Sequence, residues 1–421
     1  MRKFDIAAGS RIEWWEAMFM NDLNTLALRR AGFSSLESFQ QAQGLPVTGQ
    51  ADRATQAALE PYLLGYRRVT LQRGDSFWSL AKRFGANPQA VATANPTYDP
   101  QRLPIGGTVT VPLPFPLVPT DVPMTSRLCS LCIQGLAARY PFGSRELLTT
   151  TAFGRQVEVL RFGRGPRRVI YSAAHHANEW ITATVLLTFA EELAQAIAVG
   201  GTIGGYDADE LARKATVYLV PMVDPDGVDL VTGALQPGDQ EYEYARSLAQ
   251  FYPNIPFPSG WKANGLGVDL NLNYPAGWET AREIKFSQGF TRPGPRDFVG
   301  QAPLDQRESR ALATFTRRID PALVLAYHSQ GQVIYWQFQD IEVPGARELG
   351  ERFAEVSGYT LEDTPYASSF AGYKDWFIQE FGRPGYTIEV GLGENPLPLQ
   401  QFPEIYRDNL GILTLAMSPD A

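Results

Sequence analysis

The chain has 421 residues, of which 44% are apolar, so it can bury sizeable cores in about three domains of ordinary size. Its 37 basic and 45 acidic residues give a net charge of −8, which excludes a nucleic-acid-binding protein that relies on attraction to phosphate. Apolar runs such as residues 180–187 are shorter than the roughly 20 residues needed to cross a bilayer, so no membrane span is predicted.

The amino terminus starts with basic residues, but Arg11 and Glu13 interrupt the apolar stretch that a secretory signal requires. Two cysteines, Cys129 and Cys132, are too few for a disulfide framework. They fall in a predicted helix, which favours core or free thiols over a second metal site. The compartment stays open between the cytoplasm, for example of a sporulating cell, and the cell wall.

Residues 11–63 have the apolar spacing of short helices. The stretch FQQAQGLPVTGQADRATQAAL resembles a helical peptidoglycan-binding domain, and an ordinary helical spacer is the alternative reading. We therefore expect a helical domain over residues 1–64.

Residues 66–112 predict the order β-α-α-β, with alternating strands at both ends and two short helices between them. The segment resembles a LysM domain, which we expect over residues 65–113. The resemblance implies binding of N-acetylated glycans through two loops, whose candidate contacts are Asp75, Ser76, Phe77 and Asn95. Six basic and two acidic residues give this segment a local charge of +4, which suits an anionic cell wall.

The stretch PLPFPLVP, at residues 112–119, predicts a semi-rigid extended linker and a domain boundary. Beyond it, residues 114–421 alternate apolar strands with amphipathic helices, which predicts an α/β sheet covered by helices. Two long stretches rich in Pro and Gly, residues 235–260 and 275–302, are expected to be loops at a functional rim.

The chain has only three histidines, and their positions are informative. His176 and Glu179 follow a buried strand at a spacing that suits one ion, His328 ends a second strand, and Glu389 ends a third. Open α/β sheets bind ligands at the carboxyl ends of their strands. Two imidazoles, a carboxylate and an open fourth position are typical of a catalytic zinc site. His175 is the alternative to His176 as a ligand.

These residues, with the stretches HHANEW, VPMVDPDGVDL, WKANGLGVDLNLNYP, AYHSQGQVIYW and PGYTIEVGLGENPLP, resemble the zinc carboxypeptidase family over about 300 residues. The resemblance implies a mixed central sheet flanked by helices and a zinc cofactor. The sequences WKAN…GVDLN and TIEVG…NPLP are most similar to those of bacterial γ-D-glutamyl-diaminopimelate endopeptidases, which cut peptidoglycan stem peptides.

The resemblance also implies roles for individual residues. The implied zinc ligands and catalytic groups are His176, Glu179 and His328 for the metal, Glu389 as general base, Lys262 in place of an oxyanion-stabilising arginine, and Tyr366 near a mobile tyrosine of the family. A lysine stabilises an oxyanion as a point charge, although lysines are more often solvated surface residues. For Tyr366, the spacing to Asp375 is one residue longer than in the carboxypeptidases.

One position departs from the family pattern. Carboxypeptidases bind the terminal carboxylate of their substrates with Asn-Arg, whereas this chain has Asn271 and Leu272 as the candidate substrate-binding pair. Because leucine cannot bind a carboxylate, we expect an endopeptidase, or an enzyme that binds a different carboxylate of the diamino acid.

The leading hypothesis is a zinc peptidase that cuts γ-D-glutamyl-diaminopimelate bonds, with peptidoglycan glycan strands and stem peptides as partners. Two alternatives stay open, an inactive wall-binding scaffold and a general zinc carboxypeptidase.

Overall fold

A computed structural model describes residues 23–418, and the residues form two compact units. The first contains residues up to Leu117 together with 134–141 and 233–243, and the second contains the remaining described residues. The amino-terminal segment that Arg11 and Glu13 interrupt, and the start of the first helical segment, lie outside the described residues.

The helical part of the first unit is organised by a buried amide. Its two complete helices are α1 (Leu36–Ala42) and α2 (Arg53–Leu64). Gln40 donates from Nε2 to Thr55 Oγ1 at 2.9 Å and accepts at Oε1 from the backbone N–H groups of Thr48 and Gly49, both at 3.0 Å. Because a buried amide must be satisfied, these bonds fix the GLPVTG turn against both helices.

The LysM-like part has the predicted order β-α-α-β. Its elements are β1 (Tyr66–Thr70), α3 (Phe77–Phe84), α4 (Pro88–Ala94) and β2 (Thr108–Pro112), and the two strands pair antiparallel. Ser76 caps α3 by accepting a hydrogen bond from Ser79 N at 3.1 Å. Leu80, Val91 and Val109 are fully buried, so this part has a core of its own.

The second unit is built on one eight-stranded mixed sheet in the order β11-β10-β12-β9-β5-β8-β4-β3. In chain order the elements that follow residue 117 are α5 (Ser126–Arg139), β3 (Ser144–Thr150), β4 (Gln156–Gly163), β5 (Arg167–Ala173), α6 (Ile181–Val199), β6 (Thr202–Ile203), β7 (Tyr206–Asp207), α7 (Ala208–Lys214), β8 (Ala215–Val220), α8 (Pro225–Val231), α9 (Gln240–Ala249), α10 (Trp278–Ser287), α11 (Arg307–Ile319), β9 (Leu323–His328), β10 (Val333–Tyr335), α12 (Ala346–Ser357), β11 (Thr360–Glu362), α13 (Tyr373–Phe381), β12 (Gly385–Glu389) and α14 (Phe402–Leu415). The end of α5, from residue 134, and the start of α9, up to residue 243, belong to the first unit.

The central strands of this sheet run parallel. β12 pairs with β9, β9 with β5, and β5 with β8, all in parallel register. Their carboxyl ends therefore meet at one edge of the sheet, where β5 leads to His176, β9 ends at His328 and β12 ends at Glu389. The predicted α/β architecture is confirmed, and its topology brings these distant segments together.

The sequence-based interpretation of the two long stretches as loops was incomplete. The first contains α9 (Gln240–Ala249), whose sequence QEYEYARSLA buries only two alanines, and the second contains α10 (Trp278–Ser287). Neither helix has the strong apolar face that a periodicity search detects. The second stretch also contains Pro295, whose carbonyl accepts hydrogen bonds from the backbone N–H groups of Lys262 and Ala263.

Helix α6 is long and apolar enough to cross a bilayer, which the search for apolar runs in the sequence did not detect. In the fold, 72% of its apolar window is buried inside the molecule. Phe189 and Leu193 have no exposed surface, and the helix packs on β5, β4 and β8. Its apolar side chains are thus part of the hydrophobic core of the second unit.

Candidate active site

Three predicted metal ligands converge at the carboxyl edge of the sheet. His176 Nδ1 lies 2.9 Å from Glu179 Oε1, His328 Nδ1 lies 2.9 Å from Glu179 Oε2, and the two Nδ1 atoms are 3.2 Å apart. All three side chains are buried. Glu179 reaches the histidines because a short 3₁₀ turn, Ala177–Glu179, joins β5 to α6.

The donor atoms fit a zinc ion. One atom from each of His176, Glu179 and His328 lies within 4.8 Å of the others, and two nitrogens with a carboxylate are a common zinc set. Two imidazole Nδ1 atoms facing each other beside a carboxylate are the arrangement expected of ligands that share one cation. Of the described residues, this is the one group of three or more such side chains close enough to hold an ion.

A second carboxylate orients His176 from behind. Asp269 Oδ1 lies 3.1 Å from His176 Nε2, the ring nitrogen that does not face the cluster. Such carboxylate–histidine pairs fix the tautomer and orientation of a metal ligand. Sequence reasoning missed Asp269, although it is the aspartate of the quoted GVDLN motif.

The charges in the cluster shift the pKa values of its members. Burial lowers the pKa of His176, but Glu179 and Asp269 outweigh burial and raise it to about 9. Burial dominates at His328 and lowers its pKa. Glu179 is buried, yet His176 and Lys262 hold its pKa well below the ordinary value. Glu179 is therefore an anion ready to bind a cation.

Glu389 and Lys262 both lie beside this cluster. Glu389 is the register partner of His328 on the neighbouring strand, and burial together with the Glu179 charge raises its pKa to about 8. Lys262 Nζ lies 3.0 Å from Glu179 Oε1, and its backbone carbonyl accepts a hydrogen bond from Ala177 N. Lys262 is thus not a freely solvated surface lysine.

His175, the alternative ligand, lies outside the donor group. Its ring stacks on His328 at 5.5 Å and on Tyr373 at 5.6 Å between centroids. Burial lowers the pKa of His175 well below the ordinary value, so it is a neutral ring that packs behind His328. The structure brings His176, and not His175, to the cluster.

The other predicted site residues of this domain, Tyr366, Asn271 and Leu272, are not among the three candidate metal ligands, and their surroundings differ. Tyr366 is exposed and packs edge-on against Phe370, at 5.1 Å between centroids. Asn271 Oδ1 accepts a hydrogen bond from Tyr373 N at 3.0 Å, so its amide positions α13. Leu272 is buried in the main hydrophobic cluster of the domain.

The four candidate glycan contacts have structural partners of their own. Asp75 pairs with Arg83 at 2.8 Å, Ser76 caps α3, and Phe77 is buried in the LysM-like core. The Asn95 side-chain amide donates to the carbonyls of Val91 and Thr110 and accepts from the backbone N–H of Thr110. Their side chains therefore shape the two loops, and their contact with a glycan stays a prediction.

Comparison with protein families agrees with this geometry. The family model described as zinc carboxypeptidase matches residues 131–411. The chain belongs to the zinc carboxypeptidase family. A LysM domain matches residues 69–112 and a peptidoglycan binding domain matches residues 34–59. The chain is therefore a peptidase of the zinc carboxypeptidase family that carries two accessory domains of cell-wall-binding type.

Individual relatives support the same assignment. A γ-D-glutamyl-L-diamino acid endopeptidase 1 of Lysinibacillus sphaericus is 42% identical over 280 residues, which cover 66% of this chain and 68% of the relative. The uncharacterised protein YqgT of Bacillus subtilis is 36% identical over 280 residues, covering 66% of this chain and 73% of that protein. The solved structure of bovine thrombin-activatable fibrinolysis inhibitor has a TM-score of 0.54 at 16% identity, with 71% of this chain and 97% of that chain covered, and shows the shared fold.

Proposed function

We propose that this zinc carboxypeptidase-family enzyme hydrolyses the bond between the γ-carboxyl of D-glutamate and the diamino acid in peptidoglycan stem peptides. The observation that carries the proposal is the convergence of His176, Glu179 and His328 beside Glu389 in a fold where position 272 has no charge. The L. sphaericus relative named for this bond, and the LysM and peptidoglycan-binding domains, support the choice of substrate.

Each residue of the cluster has a proposed task. His176, Glu179 and His328 would hold zinc, with Asp269 fixing the orientation of His176. Zinc bound there would polarise the scissile carbonyl and make water a better nucleophile near neutral pH. The Lys262 ammonium would stabilise the negative charge that develops on the carbonyl oxygen.

Glu389 would carry the proton. Its carboxylate accepts a proton from the attacking water as the carbon–oxygen bond forms, and it then delivers that proton to the leaving amine of the diamino acid as the carbon–nitrogen bond breaks. The raised pKa of Glu389 suits both halves of this exchange, because the group must take up and release a proton near neutral pH.

The substrate preference follows from Leu272. Since a buried leucine cannot hold a carboxylate, the residue after the scissile bond does not need a free α-carboxylate there. The test compares L-Ala-γ-D-Glu-diaminopimelate, its D-Ala-extended tetrapeptide, and a hippuryl carboxypeptidase substrate. We expect cleavage of the first two at the γ-D-glutamyl bond. Exclusive cleavage of the hippuryl substrate would contradict the proposal and favour a general carboxypeptidase.

A further inference from the structure

Arg296 lies near the candidate metal ligands His176, Glu179 and His328 but is not one of them. Arg296 Nε donates to Asp297 Oδ2 at 2.6 Å, and its side chain is 43% exposed. Among the described residues, its two terminal nitrogens make no hydrogen bond. The guanidinium thus has one edge anchored and the other edge free to bind a ligand.

The loop that carries Arg296 is attached to the active site on both sides. The carbonyl of Pro295 accepts hydrogen bonds from Lys262 N at 2.7 Å and Ala263 N at 2.9 Å. Asp297 N donates to Asp269 Oδ2 at 3.2 Å, and the other oxygen of Asp269 contacts His176. Arg296 therefore has a fixed position next to the reacting groups.

Structural charge balance does not account for this arginine. Lys285 Nζ lies 2.6 Å from Asp297 Oδ1 in a nearly buried pair, so Asp297 already has a cationic partner. Arg296 adds a second cation to that carboxylate. Its positive charge also repels the charge of Lys262 and attracts that of Glu179. An added cation with free donors beside other cations is suited to an incoming anion.

The chemistry of the substrate supplies that anion. A stem peptide cut at the γ-D-glutamyl bond has two carboxylates near the scissile bond, the α-carboxylate of D-glutamate and the distal carboxylate of the diamino acid. Guanidinium groups bind carboxylates through two parallel hydrogen bonds, which a buried Leu272 cannot provide.

We propose that Arg296 is the specificity-determining residue that binds one of these two stem-peptide carboxylates through its free terminal nitrogens. The inference rests on the proposed function, because it concerns the same substrate. It assigns to residue 296 the anion recognition that position 272 lacks in this chain.

The experiment measures kcat/KM for three tetrapeptides: the unmodified peptide, one amidated at the D-glutamate α-carboxyl, and one amidated at the distal carboxyl of the diamino acid. The proteins are the wild type, Arg296→Gln, Arg296→Lys and the control Arg292→Gln. Arg292 suits the control because it lies in the same loop, is exposed, and contacts the ring of Phe251 at 4.6 Å. Zinc content and the thermal unfolding midpoint verify that each variant is folded.

We expect the wild type to cleave one of the two amidated peptides about 10- to 100-fold more slowly than the unmodified peptide, as for loss of a charge-assisted bond. For Arg296→Gln, kcat/KM on the unmodified peptide should fall to the wild-type value on that amidated peptide. The variant's own kcat/KM values on these two peptides should be about equal. Arg296→Lys should recover part of the preference, and Arg292→Gln should behave as the wild type. The sensitive peptide identifies the carboxylate.

One result would overturn the inference alone, provided that the wild type cleaves the unmodified peptide: an Arg296→Gln variant that keeps the wild-type preference, whether its kcat/KM is unchanged or falls by the same factor on all three peptides. A wild type that cleaves none of the peptides would overturn the proposed function as well. The two failures are therefore distinguishable.

Discussion

Glu389 combines two properties: a strand-end position fixed by pairing with β9, and a pKa raised to about 8 by burial and by Glu179. The first property holds the group at a constant distance from the ligands. The second suits the proposed role of Glu389 as a base that takes a proton from water and then releases it.

Glu389→Gln is predicted to lower kcat by about 10²- to 10⁴-fold, because an amide cannot accept the proton. Zinc content should be unchanged, since Glu389 is not in the group of three donors. The matched control is Glu362→Gln at the exposed end of β11, which should keep full activity. Near wild-type turnover in the Glu389 variant would mean that another group is the base.

The raised pKa of His176 predicts how zinc binding depends on pH. Below about pH 9 the ring is protonated in the metal-free protein, and the proton must leave before Nδ1 can bind a cation. His328 has a lowered pKa and Glu179 is ionised, so His176 contributes most of the pH dependence. Zinc affinity should therefore fall by about tenfold for each unit of pH between 8 and 6.

Competition with a chromophoric chelator at pH 6, 7 and 8 measures this slope. Asp269→Asn provides an internal check, since removing the Asp269 charge lowers the pKa of His176 and moves the pH-dependent range downward. An affinity that is constant over this range in the wild type would contradict the assignment of His176 as the protonated ligand.

Residues at strand ends were predictable from sequence, whereas their supporting partners were not. His176, Glu179, His328 and Glu389 follow apolar strands, and the carboxyl edge of a parallel sheet is a general meeting point. Arg296 lies in an irregular loop with no periodic signal. Its position depends on Lys285, Asp297 and backbone contacts to Lys262, which only the tertiary structure provides.

At the scale of elements, the LysM-like part depends on one side chain that joins α4 to β2. Asn95 Nδ2 donates to Val91 O at 2.7 Å and to Thr110 O at 2.6 Å, while Oδ1 accepts from Thr110 N at 2.8 Å. The sequence predicted both elements correctly, but it could not reveal that the Asn95 amide is used within the fold. A loop asparagine that binds glycan and one that binds backbone look identical in a sequence.

Asn95→Ala should destabilise the LysM-like part by about 2 kcal/mol, because it leaves backbone groups of Thr110 and Val91 without partners. Asn87→Ala is the matched control: Asn87 caps α4 with a single bond to Gln89 N, so about 1 kcal/mol is expected. Hydrogen exchange of residues 66–112, followed by mass spectrometry, measures both. Equal protection in the two variants would contradict the joining role.

At the scale of the whole molecule, the domains expected over residues 1–64, 65–113 and 114–421, and the extended linker expected over residues 112–119, stay predictions, but the start of that linker segment is bound by a side chain. Within the first compact unit, the buried Arg139 guanidinium donates to the carbonyls of Gly65 at 2.7 Å and of Leu113 and Phe115 at 3.1 Å. The prolines of this segment predict extended backbone, but a sequence does not show which side chain binds its carbonyls. These bonds hold the segment in place.

A deletion of residues 1–116 tests what the accessory domains contribute. We expect kcat/KM on a soluble stem tripeptide to stay within about twofold, because tethering raises the local concentration of enzyme only at an insoluble polymer that the domains bind. On intact sacculi the truncated protein should be slower and should no longer co-sediment. Its unfolding midpoint should fall, because Arg139 loses its carbonyl acceptors.

Full-length Arg139→Gln separates these effects, since it removes the same hydrogen bonds while keeping both accessory domains. This variant should share the lower midpoint of the truncated protein but retain binding to sacculi. If the truncated protein alone changes kcat/KM on the soluble tripeptide, the accessory domains act on catalysis and not only as a tether. If both proteins change it by the same factor, the Arg139 contacts support the active site. Equal kcat/KM for all three proteins on the soluble peptide, with loss on sacculi for the truncated one alone, is the result that tethering predicts.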